Sequence, residues 1–168
     1  VAGARRDRFV EYAALGSVLL LTILDLLQLP AWPVALAGAA FHAARLALWA
    51  PLATRGRPIL WILHLSYAWV VVHLVLRGLA GFDLVPATLA THALTVGVIG
   101  GLTLGMMTRT ARGHTARPLE VGRPEVAAYV LVHAAAVVRV LLPLLFPGAY
   151  VALIAAAGAL WSAAFAIF

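Results

Sequence analysis

The sequence predicts an all-α integral membrane protein, a bundle of six transmembrane helices with its N-terminus on the cytoplasmic side. Three observations carry that expectation. The chain is 64% hydrophobic and only 11% charged, with a mean hydropathy of +1.02, whereas a soluble domain carries about 25% charged residues. Six apolar stretches approach the roughly 20 residues that a helix needs to cross a bilayer. The arginines fall in alternate connections between those stretches, as the positive-inside rule requires.

The first span, Phe9–Leu29, follows Arg5, Arg6 and Arg8 and lacks a small-residue cleavage site after it, so it reads as a membrane helix and not a signal peptide. Pro30 and Pro33 separate it from the second, Pro33–Leu52. Arg55, Gly56 and Arg57 precede the third, Pro58–Leu79, and Gly81 to Asp83 lead into the fourth, Pro86–Met107. A basic loop with Arg109, Arg112, Arg117 and Arg123 reaches the fifth, Pro124–Leu145, in which Pro143 predicts a kink. Pro147-Gly148 turns the chain into the sixth, Tyr150–Phe168. Several spans begin at proline, where a missing backbone N–H is harmless. No stretch alternates as a barrel strand would, and the two halves show no clear repeat. The missing initiator methionine and an end inside an apolar run point to a fragment of a longer polytopic protein.

Composition also narrows function. All twelve basic side chains are arginine, and the pI is about 11.1; their place between apolar spans explains them by topology and argues against nucleic acid. Without cysteine there are no disulfides, thiolate metal sites, iron–sulfur clusters or covalent haem attachment. Metal or haem ligation falls to histidine, with Met106 and Met107 as further donors for copper. No Walker loop, zinc-protease pair or nucleophile elbow is present, and the sequence specifies no turnover.

Five of the six histidines lie within spans, where ionisable groups are costly and usually functional. At 1.5 Å per residue, His73 and His92 lie about 20–22 Å from the arginine-rich edge, His42 and His133 about 13–17 Å, and His64 about 9 Å. A bis-histidine haem needs imidazoles at equal height on different helices, which His73/His92 and His42/His133 each offer. His64 and His73 are about 180° apart around one helix and cannot serve one iron. Trp61 and Tyr67 are expected on the face of His64, Trp69 on that of His73, and Tyr129 one turn before His133. The bland alternative is aromatic packing with histidines bonded across helices.

Arg45, one turn from His42, and Arg139 are candidate partners for haem propionates. Arg139 has the alternative of an ion pair with Asp25 at similar depth, and Glu11 is expected to reach headgroups or Arg8. Gly97, Gly101 and Gly105 form a small-residue stripe, for close helix packing or for a porphyrin face. His114 lies among arginines at the surface.

The segments Arg57-Pro-Ile-Leu-Trp-Ile-Leu-His64-Leu-Ser-Tyr-Ala-Trp69 and His92-Ala-Leu-Thr-Val-Gly through Met-Thr-Arg109-Thr-Ala-Arg-Gly-His114-Thr resemble the NnrS family. The resemblance runs over essentially the whole chain and is to the C-terminal half of longer proteins. It implies a multi-pass protein of the bacterial inner (cytoplasmic) membrane that binds haem b, with copper also in the family, and is linked to nitric oxide metabolism and nitrosative stress. Residue by residue, it supports His64, His92, Arg109 and His114, and leaves His42, His73 and His133 to the depth argument. His92 leads the expected ligands, followed by His64, with His42, His133 and His73 after them. The expected partners are the lipid bilayer, nitric oxide or a related small molecule, and a missing N-terminal half or a second copy. The alternatives are a transporter or channel lined by the same polar groups, and a structural partner of a respiratory complex.

Overall fold

The computed structural model describes residues 3–168 and is helical, with no strand among the described residues. Its main helices are α1 (Arg8–Leu26), α2 (Trp32–Leu48), α3 (Pro58–Ala80), α4 (Ala87–His114), α5 (Arg123–Leu145) and α6 (Tyr150–Ile167). Short 3-10 turns occupy Pro51–Thr54 and Pro147–Ala149. Five helices, with α6 counted from Pro147, are long and apolar enough to cross a membrane; α2, at 17 residues, is shorter than these.

Local chemistry sets the boundaries. Asp7 caps α1, its carboxylate accepting the Val10 N–H at 2.9 Å. At the start of α5 the Glu125 carboxylate accepts the Gly122 N–H at 2.9 Å and also binds Arg112 at 2.7 Å, tying α5 to the end of α4. The first span ends at Leu26 and not Leu29, because Gln28 adopts φ 56° and the Leu29 N–H closes onto the Leu24 carbonyl. The second ends at Leu48 and not Leu52: Ala50 turns left-handed, at φ 52°, immediately before Pro51. The basic segment Arg109–His114, expected in a loop, is the last turns of α4. Within α5 the regular helix stops at Val140, where Pro143 withholds the N–H that would bond the Arg139 carbonyl.

α3 is central. It packs on α2 along one side and on α4 along the other, while α5 packs on α4 and α6 and α1 leans on α2. Half of the apolar window of α4 is buried, against 17% for α1 and 11% for α6, so these two are peripheral. Lipid is as apolar as leucine, so helix association in a bilayer rests on close contact. The glycine stripe supplies it. A Cβ on Gly97 would sit 2.4 Å from Trp69 Cγ, one on Gly101 would sit 2.2 Å from Ser66 Oγ, and one on Gly105 would sit 3.1 Å from Ile62. Ile62, Ser66 and Trp69 form a single stripe of α3, so side chains of α3, and no open groove, occupy the space over these glycines.

The three arginine-rich segments gather at one end of the bundle. The Arg5 N–H donates to the Leu48 carbonyl at 2.8 Å, and residues 56–59 border residues 119–121 in one cavity. At the opposite end the rings of Trp32 and Phe82 pack at a tilt, centroids 4.4 Å apart, and Arg77 pairs with Asp25.

Candidate functional site

Polar side chains inside the helices fall into four groups, and each histidine's hydrogen bonds show which ring nitrogen carries the proton. The first group joins α1, α2 and α3. His42 is buried, and its Nε2–H donates to the Ala14 carbonyl at 3.1 Å. Its Nδ1 is therefore the acceptor for the Tyr67 hydroxyl at 2.6 Å. The Tyr67 oxygen in turn accepts from Arg45 at 3.1 Å, and Arg45 donates to Glu11 at 3.0 and 2.6 Å. The guanidinium also lies 4.7 Å from the Trp49 ring. Glu11 thus binds Arg45, and not the headgroups or Arg8. In this chain from Glu11 to Ala14 both nitrogens of His42 are used.

The second group is His64. Its Nδ1–H donates to the Leu60 carbonyl at 2.9 Å, which leaves Nε2 with a free lone pair. His64 lines an apolar pocket of about 460 Å³ with Leu46, Leu52, Arg55, Trp61, Leu65 and Ala68. That volume lies within the range of roughly 300–1,000 Å³ usual for small-molecule and cofactor sites. Trp61, His64, Leu65 and Ala68 are spaced i, i+3, i+4, i+7, so one stripe of α3 forms the wall. Trp49 stands edge-on to His64, its centroid 6.3 Å away.

The third group lies at the end opposite the arginine-rich loops. His73 donates from Nδ1 to the Ala90 carbonyl at 2.8 Å. With Asp25, Arg77 and Thr91 it lines a polar cleft of about 520 Å³ between α1, α3 and α4. His64 and His73 therefore serve different cavities.

The fourth group runs along α4 and α5. Residues Ala93–Gly100 of α4 form a π-helix, a rare turn frequent at functional sites. Its wider ring turns the chain less per residue, so His92 is rotated away from its α-helical position. His92 donates from Nδ1 to the Thr88 carbonyl at 2.5 Å, and its Nε2 accepts from Arg139 at 2.8 Å. Arg139 Cζ lies 5.5 Å from the Tyr150 ring. On the next turns of α5, His133 Nδ1 accepts the indole N–H of Trp69 at 3.2 Å. Its proton therefore sits on Nε2. Three buried polar atoms on this helix have no partner: Tyr129 Oη, His133 Nε2 and Arg139 NH1.

The equal-depth pairings are not brought together. His42 faces α1 and Tyr67, whereas His133 meets Trp69, about 200° around α3 from Tyr67. His92 is turned to Arg139 on α5, away from His73 on α3. Asp25 pairs with Arg77, so the Asp25–Arg139 ion pair does not form. Trp61 shares the pocket wall of His64, as its spacing suggested, while its ring also meets Tyr129 and His133; Tyr67 is turned to His42, and Trp69 serves His133 and not His73. Among the described residues no three His, Cys, Asp or Glu side chains cluster as a metal site. Met106 and Met107 are exposed and line a groove with Leu102 and Phe168, and His114 is exposed at the end of α4. Tyr67, expected beside His64, is the partner of His42; Leu60 and Thr88 went unnoticed, although each precedes its histidine by four residues.

A histidine-bearing, all-helical bundle with five membrane-length apolar helices defines a multi-pass membrane protein. The chain belongs to the NnrS family, whose model, described as NnrS protein, matches residues 2–168. No match was found among curated proteins or among solved structures. Membership is consistent with a membrane protein linked to nitric oxide.

Proposed function

We propose that the protein is a haem-binding protein of the bacterial inner membrane that acts in nitric oxide metabolism or nitrosative-stress resistance. All six helices cross the bilayer in this reading, α2 at the lower limit of about 17 residues, and the arginine-rich end, with the N-terminus, is cytoplasmic. The observation that carries the reading is His64: a fixed tautomer with a free Nε2 lone pair, in an apolar pocket of about 460 Å³.

The residues there fit a b-type haem. The Leu60 carbonyl orients the imidazole and raises its basicity. Leu46, Leu52, Leu65 and Ala68 give the site an apolar lining that is open toward the bilayer at Leu52 and Leu65, and Arg55 at the cytoplasmic edge supplies a cation for a propionate. A bound haem would supply one-electron chemistry or, with an open axial position, binding of a diatomic molecule. Of the other histidines, His73 also keeps its Nε2 free of protein partners, and His92 becomes a ligand only when Arg139 withdraws. His42 has no lone pair to give, and His133 ligates only if it surrenders the Trp69 bond. The six histidines and two methionines also offer donors for copper, and no geometry favours a particular set.

The test is the absorption spectrum of the detergent-purified protein, oxidised and dithionite-reduced, beside His64→Ala and His92→Ala. A reduced b-type spectrum lost in His64→Ala supports the reading. Loss in His92→Ala alone moves the ligand to α4, and no haem in any protein expressed with haem supply overturns it. The polar cleft lined by Asp25, His73 and Arg77 favours a second reading, a path for a proton, metal or small solute. Uptake into proteoliposomes that is lost in His73→Ala, without haem, would establish that one instead.

A further inference from the structure

Outside the arginine-rich segments, three arginines lie within the apolar spans, Arg45, Arg77 and Arg139, and two of them have a carboxylate. Arg45 binds Glu11 and Arg77 binds Asp25. The remaining acidic residues are committed elsewhere or lie outside the apolar segments: Asp7 caps α1, Glu125 binds Arg112, and Asp83 and Glu120 lie in loops. Among the described residues Arg139 forms no ion pair. The residue is only partly buried, but its NH1 is shut off from solvent, and a buried donor without a partner loses hydration without compensation.

Arg139 is nonetheless held in one orientation. Its NH2 donates to His92 Nε2 at 2.8 Å, and the Thr88 carbonyl fixes that imidazole through Nδ1. The Tyr150 ring lies 5.5 Å from the guanidinium carbon. NH1, with two N–H donors, is buried and has no partner. The guanidinium is thus tied to a histidine on α4 and set beside the aromatic ring that opens α6.

We infer that Arg139, oriented by His92 and Tyr150, binds a small planar oxyanion of carboxylate type that this chain does not supply. A guanidinium edge matches two oxygens on one centre, which is why arginine is preferred to lysine for such groups. The anion is either free in solution or a carboxylate of a bound cofactor, and the two are separable. His92 is the positioning residue, since it leaves the NH1 edge free while holding the plane. The site stands whether or not His64 binds haem.

The experiment is a thermal titration of the purified protein in an uncharged detergent, with sodium formate replacing sodium chloride at constant ionic strength. Formate is expected to raise the apparent Tm of the wild type saturably. Arg139→Lys, which keeps the charge, should need at least tenfold more formate, and Arg139→Gln should not respond. His92→Gln should weaken the response without abolishing it. A response in haem-free protein that disappears in haem-loaded protein assigns the anion to a cofactor carboxylate, and persistence in both assigns a free anion. Equal Tm values in formate and chloride would overturn the site. So would a full response in Arg139→Gln, or stabilisation by phosphatidylglycerol with none by formate.

Discussion

Two polar regions of the same bundle are built on opposite plans. Between α1, α2 and α3, Glu11, Arg45, Tyr67 and His42 form a chain in which each of the bonds described has a partner within the protein. Along α5, Tyr129 Oη, His133 Nε2 and Arg139 NH1 are buried without one. A satisfied network in a low-dielectric interior fixes helices against one another. An unsatisfied one is unfavourable unless water or a ligand completes it. Helix composition does not separate the regions, since both contain arginine, histidine and tyrosine. What separates them is where the lone pairs and protons already go, and that distinction sorts the histidines into those that hold the fold and those left for chemistry.

The largest effect should come from breaking the closed region. Arg45→Met leaves the half-buried Glu11 carboxylate without its cation and Tyr67 without its donor; losing one member of a fully buried pair costs about 3–5 kcal/mol. Since these two side chains keep 16% and 18% exposure and are screened accordingly, a loss of about 2–3 kcal/mol is expected. Thermal unfolding in detergent should show a fall of Tm, with haem per folded molecule unchanged. A loss of haem together with an unchanged Tm would reverse the roles of the two regions.

The contact between the regions is next. Gly97→Ala drives a methyl into Trp69, the residue that carries the α3 face to His133, and overpacking of that kind costs about 1–3 kcal/mol. Gly158, with nothing within 4 Å, is the control: alanine there should raise stability by up to about 1 kcal/mol. Equal Tm changes in the two variants would show that α3 and α4 are not held by that contact. The last comparison is Trp69→Phe, which removes the indole N–H donated to His133, worth about 1 kcal/mol, together with part of a buried ring, so its discriminating readout is not Tm but the state of His133. It also frees His133 Nδ1 and allows the proton to leave Nε2. An imidazole nitrogen chemical-shift measurement on His133 should therefore show a change of tautomer population in this variant and none in Tyr67→Phe.

Much of this architecture is legible in the sequence. Hydropathy and proline placement set six helices and their order, and the spacing of Trp61, His64, Leu65 and Ala68 puts one stripe of α3 on a common wall. The arginines predict which connections share an end, and Arg5 against Leu48 agrees. Helix ends are less legible, because Gln28 and Ala50 take left-handed conformations that their side chains do not announce. The π-helix over Ala93–Gly100 is also silent in an all-apolar run. Depth along a helix follows from counting, whereas the facing of one helix on another does not. Counting therefore suggested Asp25 with Arg139, and His42 with His133, at matching heights. α3 lies between the two histidines, and Arg77 takes Asp25.

The most direct test compares His42→Ala with His64→Ala in parallel, reading reduced haem absorbance per folded protein and apparent Tm in the same preparations. The two histidines are on adjacent helices and differ in what their ring nitrogens already bind. The expected result is that His42→Ala lowers Tm and keeps haem, and that His64→Ala loses haem with little change in the Tm of the haem-free protein. Haem lost in His42→Ala and retained in His64→Ala would contradict it.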